Sequence, residues 1–482
     1  MRGVGGAMML LALASACKVG PDYEKPPPLP NNQALADEWH TAATMGLSSG
    51  QADLQTWWTV FGDSKLDQLI QRAQLENLDL REAVARVRES RAFVGVARGE
   101  RMPSVDAVSD VNVGRPSDAA APFVPEGGFD TTALFSAGVE AGWEMDVFGK
   151  FSRSIEAAEA GYEASIEDYR DVLVSLLAEV ALAYVDVRSL QERIAFARAN
   201  VEIQKESLQL TRDRFDAGLT SALDVAQAES NLGDTESTIP RLEQNLSIGL
   251  NRIAVLLADT PGSLHEELST ESDIPKPPPA VTVGIPANVM RQRPDIRSAE
   301  RLLASQTARI GVATADLYPR FSLAGFLTFN WGNVGDESTG VGWSFIPGFS
   351  WNLFDRERIH SRIRVEEARA EQAFIAYERT VLSAFEDVEN AMISHLKERE
   401  RRERLEEAVE ATERSVELVR TQYLAGLTNF QNVLDSQRSL FRLQDQLAES
   451  EGLSVQNLIV LYRALGGGWD VETASDPAAD NP

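Results

Sequence analysis

Two stretches decide how this chain is read: LDLREAVARVRESRAFVGVARGERMPSVDA, residues 78–107, and PDIRSAERLLASQTARIGVATADLYPRFSLAG, residues 294–325. Both run from an aspartate-led segment through a proline into an alternating stretch, and Asp295 lies 216 positions after Asp79. A second matched pair, RDRFDAGLTSALDVAQAES from Arg212 and RTQYLAGLTNFQNVLDSQR from Arg420, is offset by 208. Self-similarity at fixed separation marks a duplicated structural unit, here of about 210 residues. The difference between the two offsets falls between the strands described below, where a loop absorbs it.

The repeat sets the domain plan. Residues 64–273 form the first copy, 287–469 the second, and a proline-rich connector, IPKPPPAVTVGIP at 274–286, joins them. Each copy predicts one helix (about Leu66 to Arg101; Ala287 to Leu317) that stops before Pro103 or Pro319, because proline denies a helix its continuation. Two strands follow, in hairpins at about 104–148 and 320–354, then a very long helix, a glycine-containing turn and a return helix.

The strand segments alternate with period two. In TALFSAGVEAGWEMDVF the odd positions include Phe135, Val139, Trp143 and Met145, and the even ones Ser136, Glu140 and Glu144. FSLAGFLTFNW puts Phe321, Leu323, Leu327, Phe329 and Trp331 on one side, and VGWSFIPGFSWNLF does the same with Val341, Trp343, Phe345, Phe349 and Trp351. SVDAVSDVNV is weaker, with Val105, Val111 and Val113 opposite Asp106 and Asp110. Such a pattern suits a soluble sandwich or a membrane barrel. Aromatics near the strand ends and segments of about ten residues favour the barrel. Four strands cannot close, and an open edge in lipid leaves backbone groups unpaired at several kcal/mol each. Three copies of four strands give twelve, so the predicted fold is a trimer that closes a twelve-stranded β-barrel and carries long coiled-coil helices.

From about Phe151 to Phe215 there is no proline, and 65 residues of helix reach about 100 Å. Leu176, Val180, Ala183, Val187, Leu190, Ile194, Ala197, Val201, Leu208 and Phe215 follow an alternating four-three spacing that skips Gln204 and Thr211, a coiled-coil seam. In the second copy Leu405, Val409, Thr412, Val416, Val419 and Tyr423 keep the spacing, and the run LKERERRERL reads as a solvated face.

Composition narrows the function. A formal net charge of -27 disfavours nucleic acid and fits an acidic, water-filled interior that prefers cations. The four histidines, His40, His265, His360 and His395, have no ligand spacing, and the single cysteine excludes a disulfide framework. There is no glycine-rich phosphate loop, so no enzyme, metal site or cofactor is expected.

Residues 1–16 have a basic Arg2, the apolar core AMMLLALASA and small residues before Cys17, the layout of a cleaved signal peptide. The stretch resembles a bacterial lipobox, with Ala14 where leucine is usual. That implies a lipid on Cys17, a diacylglycerol plus an amide-linked acyl chain, since several chains anchor stably where one does not. Residues 17–63 then read as an extended, proline-rich strap and 470–482 as an acidic tail.

The segments ACKVGPDY, RQRPDIRSAERLLASQTARIGVATADLYPRFSLAG and LYRALGGGW together resemble the outer-membrane efflux lipoproteins of the TolC and NodT class. The resemblance runs from Cys17 to Trp469. It implies a passive homotrimeric duct through the outer membrane and periplasm, working with a periplasmic membrane-fusion adaptor and an inner-membrane efflux pump to expel small toxic compounds. It also implies that the strap, connector and tail form a belt around the helices. FDAGLTS and YLAGLTN then become adaptor-docking tips, with Gly218 and Gly426 at the reversal and Leu219, Thr220, Leu427 and Thr428 exposed. The glycines alone are explained by turn geometry. Just beyond, Asp224 and Gln227 correspond to Asn432 and Asp435. Asp435, Asn432 and Asp224 are the expected pore gate; Asn432 and Thr428 depart from the family's charged pattern, which implies no ionic latch. Two other readings stand beside this one: a duct for type I protein secretion, and a periplasmic coiled-coil lipoprotein with a soluble sandwich head.

Overall fold

A computed structural model describes residues 18–27, 39–45, 48–49, 54–115, 117, 119, 130–270, 272–278, 282–283, 286–332 and 338–469. Cys17, the leader 1–16 and the tail 470–482 lie outside the described residues. The chain divides into two compact units, one of residues up to 26, 87–165 and 299–377, the other of 27–86, 166–298 and 378 onward.

The first unit is built around one antiparallel sheet: β2 (Ser104–Gly114), β3 (Thr132–Met145), β5 (Arg320–Gly332) and β6 (Ser338–Ser350), in that spatial order. Register fixes the faces. Ala107 pairs with Val139, Val139 with Leu327, and Leu327 with Trp343, so odd-numbered residues share one face across all four strands. That face carries most of the Val and Phe and all the Trp side chains, whereas the other carries Asp106, Asp110, Glu140, Ser322, Thr328, Asn330 and Ser344 together with Val108, Phe326 and Ile346. Trp343 is 75% exposed, and Val341, Phe345, Phe349, Trp331 and Leu327 are also exposed. The four strands make a single sheet, which removes the sandwich reading: no second sheet covers the apolar face among the described residues. Among the described residues the outer edges of β2 and β6 have no partner strand.

The second unit is helical. The main helices, numbered along the whole chain, are α1 (His40–Met45), α2 (Ser64–Glu76), α3 (Leu78–Glu100), α4 (Lys150–Asp216), α5 (Ala222–Leu256), α6 (Pro286–Gln292), α7 (Pro294–Ala315), α8 (Arg356–Leu424) and α9 (Phe430–Ala464). The long helices run where the sequence places them. Leu176, Val180, Val187, Leu190, Ile194, Ala197, Val201 and Leu208 are buried, as the four-three spacing requires. Gln204 and Thr211 also belong to the seam: both are buried, and Gln204 donates to Thr235 Oγ1 at 2.8 Å, which makes a polar side chain acceptable there. Phe215 leaves the seam and is exposed, because the helix ends one residue later. The charge run behaves as a solvated face laced by short-range pairs, Lys397 with Glu400 and Arg404 with Glu407.

Two expectations are corrected. The opening helix of each copy is broken in two. Asn77 ends α2 and its side chain turns the chain into α3, accepting from Leu80 N–H at 2.9 Å and donating to Leu256 O at 2.9 Å. In the second copy Pro294 restarts the helix as α7, a role its missing N–H suits. The strap is not extended throughout. Residues 57–61 form a 3₁₀ turn whose Trp57 is buried and stacked on Tyr462 at 5.5 Å, so the apolar run WWTVF is core rather than strap. Strap and connector do meet, in a two-residue parallel pair of β1 (Ser48–Ser49) with β4 (Thr282–Val283).

Candidate functional site

The glycine turns lie in the second unit and are copies of one another. Gly218 N–H donates to Phe215 O at 2.8 Å and Leu219 N–H to Arg214 O at 2.8 Å. Gly426 N–H donates to Tyr423 O at 3.0 Å and Leu427 N–H to Gln422 O at 2.9 Å. These crossed bonds are the Schellman ending of a helix, and they need a left-handed residue. Gly218 and Gly426 both have φ of 74°. A Cβ would meet nothing within 4 Å at either, so backbone conformation alone calls for glycine there. The following leucine ordinarily folds back on the helix. Here the helix position it would fold onto holds Arg214 or Gln422, and Leu219 is 66% and Leu427 78% exposed.

Thr220 and Thr428 are only half-buried rather than exposed as expected, and each return helix starts with a cap one residue past that threonine. Ser221 caps α5 in a capping box with Asp224, whose carboxylate also accepts the Thr220 hydroxyl. Asn429 caps α9 by accepting from Asn432 N–H at 3.2 Å, and Asn432 Nδ2 donates to Thr428 Oγ1 at 2.7 Å. Asp435 is exposed one turn further on and accepts from Gln431 Nε2 at 2.9 Å. Asp224 and Asn432 thus have a structural task at the helix start, whereas Asp435 is held only by a neighbour on its own helix.

Beneath the tips the two hairpins share one apolar cluster of Leu208, Ala228, Tyr423, Phe430, Val433 and Leu434. The Arg214 guanidinium lies 4.7 Å from the Tyr423 ring centre, tying the end of α4 to the end of α8. Polar ties between the hairpins accompany it: Gln437 Nε2 donates to Ser207 Oγ at 2.7 Å and Arg438 Nε to Asn231 Oδ1 at 2.6 Å. Higher in the same unit, Arg193 grips Asp445 with two bonds of 2.7 and 3.0 Å.

A group that the sequence reading passed over is Glu192. Burial, with Glu451 and Asp273 nearby, pushes its carboxyl up to about 7. Glu451 is also raised, by burial first. Helical spacing could not reveal this, since Glu192 sits beside the α4 seam and its acidic neighbours come from other segments. Trp469 of the LYRALGGGW motif lies between two guanidinium groups, Arg170 at 4.7 Å and Arg297 at 5.2 Å, and donates Nε1–H to Gln292 O at 3.1 Å. No group of three or more His, Cys, Asp or Glu side chains is placed to hold a metal among the described residues. No helix among them is long and apolar enough to cross a membrane.

The described residues thus combine a single apolar-faced sheet with two long helical hairpins. The family described as Outer membrane efflux protein matches residues 69–259 and 285–467, one segment per repeat, and the chain belongs to that family. It is an outer-membrane protein that extends into the periplasm. It is 30% identical over 472 residues to Nodulation protein T of Rhizobium leguminosarum bv. viciae, covering 98% of this chain and 95% of that protein. It is likewise 30% identical over 478 residues to the pyoverdine export outer membrane protein OpmQ of Pseudomonas aeruginosa, covering 96% of this chain and 98% of that one. The solved outer-membrane channel OprN superposes with a TM-score of 0.87 at 35% identity, over 94% of this chain and 100% of that chain.

Proposed function

We propose that this chain is the outer-membrane duct of a tripartite efflux pump, a passive exit for small toxic compounds driven by an inner-membrane pump and coupled through a periplasmic adaptor. The observation that carries the reading is the sheet: four strands with a continuous apolar face open to the surroundings and two unpartnered edges. Lipid satisfies the face, and pairing of β2 with β6 of the next copy satisfies the edges. Three copies would close twelve strands, an even number in the range of such barrels. Residues 217–220 and 425–428 present the exposed leucines to the adaptor, and Asp435, with Asn432 and Asp224 behind it, narrows the pore. Cys17, outside the described residues, carries the lipid as a supplementary anchor. The pyoverdine-export name of OpmQ favours small molecules over proteins as cargo.

The test is reconstitution of the detergent-extracted protein. The expected result is a trimer by mass and ion conductance in planar bilayers, with Cys17→Ala, made behind a non-lipoprotein signal, still inserting. A monomeric, water-soluble, non-conducting product would overturn the duct.

A further inference from the structure

In the first unit an arginine is buried that the tandem repeat does not call for. Arg153, in the first turn of α4, is 1% exposed. Its Nε donates to Val19 O at 3.1 Å, and its Nη2 donates to Asp22 Oδ1 at 2.7 Å and Gly20 O at 3.4 Å. Its Nη1 donates to Glu156 Oε2 at 2.9 Å. Three of these four acceptors belong to the strap.

The strap is fitted at its other contacts as well. Val19 N–H donates to Phe148 O at 3.2 Å, just past the end of β3. Gly20 has φ of 88°, and a Cβ on it would stand 2.4 Å from Gly311 Cα in α7, so the two backbones touch. Lys18 lies against Gly149, where an added Cβ would stand 2.9 Å from Lys18 Cα. Further along, the Tyr23 hydroxyl donates to Glu300 at 3.1 Å and Lys25 pairs with Glu300 at 3.0 Å.

The second copy shows what this position does without a strap. Aligning Phe148 with Phe354 sets Arg153 opposite Ile359, and the same backbone bond opens both helices: Arg153 N–H to Gly149 O at 2.8 Å, Ile359 N–H to Asp355 O at 3.1 Å. Ile359 is 2% exposed, so the position is core in both copies. A guanidinium taken out of water there needs its donors met, and the planar fork of arginine suits several acceptors at once. In the first copy a segment of the chain's own N-terminus supplies three of the acceptors.

We infer that Arg153 is a socket for residues 18–26 and that it sets where the strap, at Lys18, joins the folded body: at the junction of β3 with α4. Resting on the reading of Cys17 as lipid-bearing, this makes Arg153 a positioning residue for the anchor, fixing the acyl chains at one height against the apolar sheet instead of letting them range on a free tail.

Amide exchange on the full-length protein in detergent tests it, with the mass of the N-terminal peptide reporting acylation. Two variants are used: Arg153→Ile, which installs the residue of the other copy, and Gly20→Val, which changes the strap's sequence alone and forces the strap and the Gly311 backbone of α7 apart. Both are expected to speed exchange at Val19 by about tenfold or more while amides of the α4 interior stay as protected as before. Protection of Val19 should persist in Cys17→Ala behind a non-lipoprotein signal, since the socket grips peptide. Unchanged protection of Val19 in both variants would overturn the socket. So would an Arg153→Ile protein whose α4 start loosens while Gly20→Val leaves Val19 protected, for Arg153 would then serve the fold only. An N-terminal peptide without acyl mass would overturn the anchor-setting role together with the reading of Cys17, leaving the socket to stand on Val19.

Discussion

Asn432 donates its carboxamide to Thr428 Oγ1 at 2.7 Å, mirroring the Thr220 to Asp224 tie 208 residues earlier with the donor reversed. The second tip therefore keeps the turn while dropping a charge. Asn432→Asp is expected to keep the tie, with Thr428 now donating, and to raise the cation preference of the reconstituted channel. Reversal potentials in a salt gradient check this; an unchanged potential would place residue 432 away from the ion path.

Leu219 and Leu427 are exposed with no packing task in their own turns. Changing both to Asp should leave thermal stability unchanged and weaken binding of the purified cognate adaptor by about tenfold or more, as removal of a central apolar anchor does. Surface-immobilised adaptor provides the measurement. Equal binding by wild type and variant would move the docking site elsewhere.

Gly218→Val and Gly426→Val probe the turn rather than the contact. A β-branched residue at φ of 74° is strained by about 1–2 kcal/mol per site. Faster amide exchange should appear at the ends of α4 and α8 only, with the helix interiors unaffected, because no neighbour is displaced.

Asp435→Ala addresses the gate. Since Asp435 is tied only to Gln431, its loss should not disturb the helix start. Single-channel records are expected to show reduced cation preference and altered open probability. Identical records would remove Asp435 from the gate.

Glu192 predicts a pH dependence. Its folded value of about 7 lies above the ordinary 4.5, so between those values the folded protein holds a proton that the unfolded chain has lost. Stability attributable to this group is full at acidic pH, falls as pH rises from 4.5 to about 7, and stays low above that. Glu192→Gln should flatten this part of the profile and raise the melting temperature at pH 8, read by circular dichroism across a pH series.

The duplication, the strand faces and the long-helix seam were legible because each rests on a period, and burial follows the same period in space. Val187 and Ile194 are buried where the spacing puts them, and Trp343 and Leu327 share a face because register preserves parity from strand to strand. What escaped depended on partners distant in sequence. Gln204 reads as a break in the seam until Thr235 is brought beside it, and Trp57 reads as strap until Tyr462 stacks on it. Asn77 was missed for a different reason: one capping side chain inside an unbroken apolar pattern leaves no mark on the period. Arg153 appears in sequence as one more arginine of a helix start, and only Val19, Gly20 and Asp22 reveal its task.

The unpartnered edges of β2 and β6 bear on genetics as much as on structure. In the proposed trimer every copy has two joints to make, so one copy with a damaged edge strand spoils joints on both sides of itself. Alleles that cripple β2 or β6 should then act dominantly when expressed beside the intact gene, whereas alleles that abolish synthesis of the chain should be recessive.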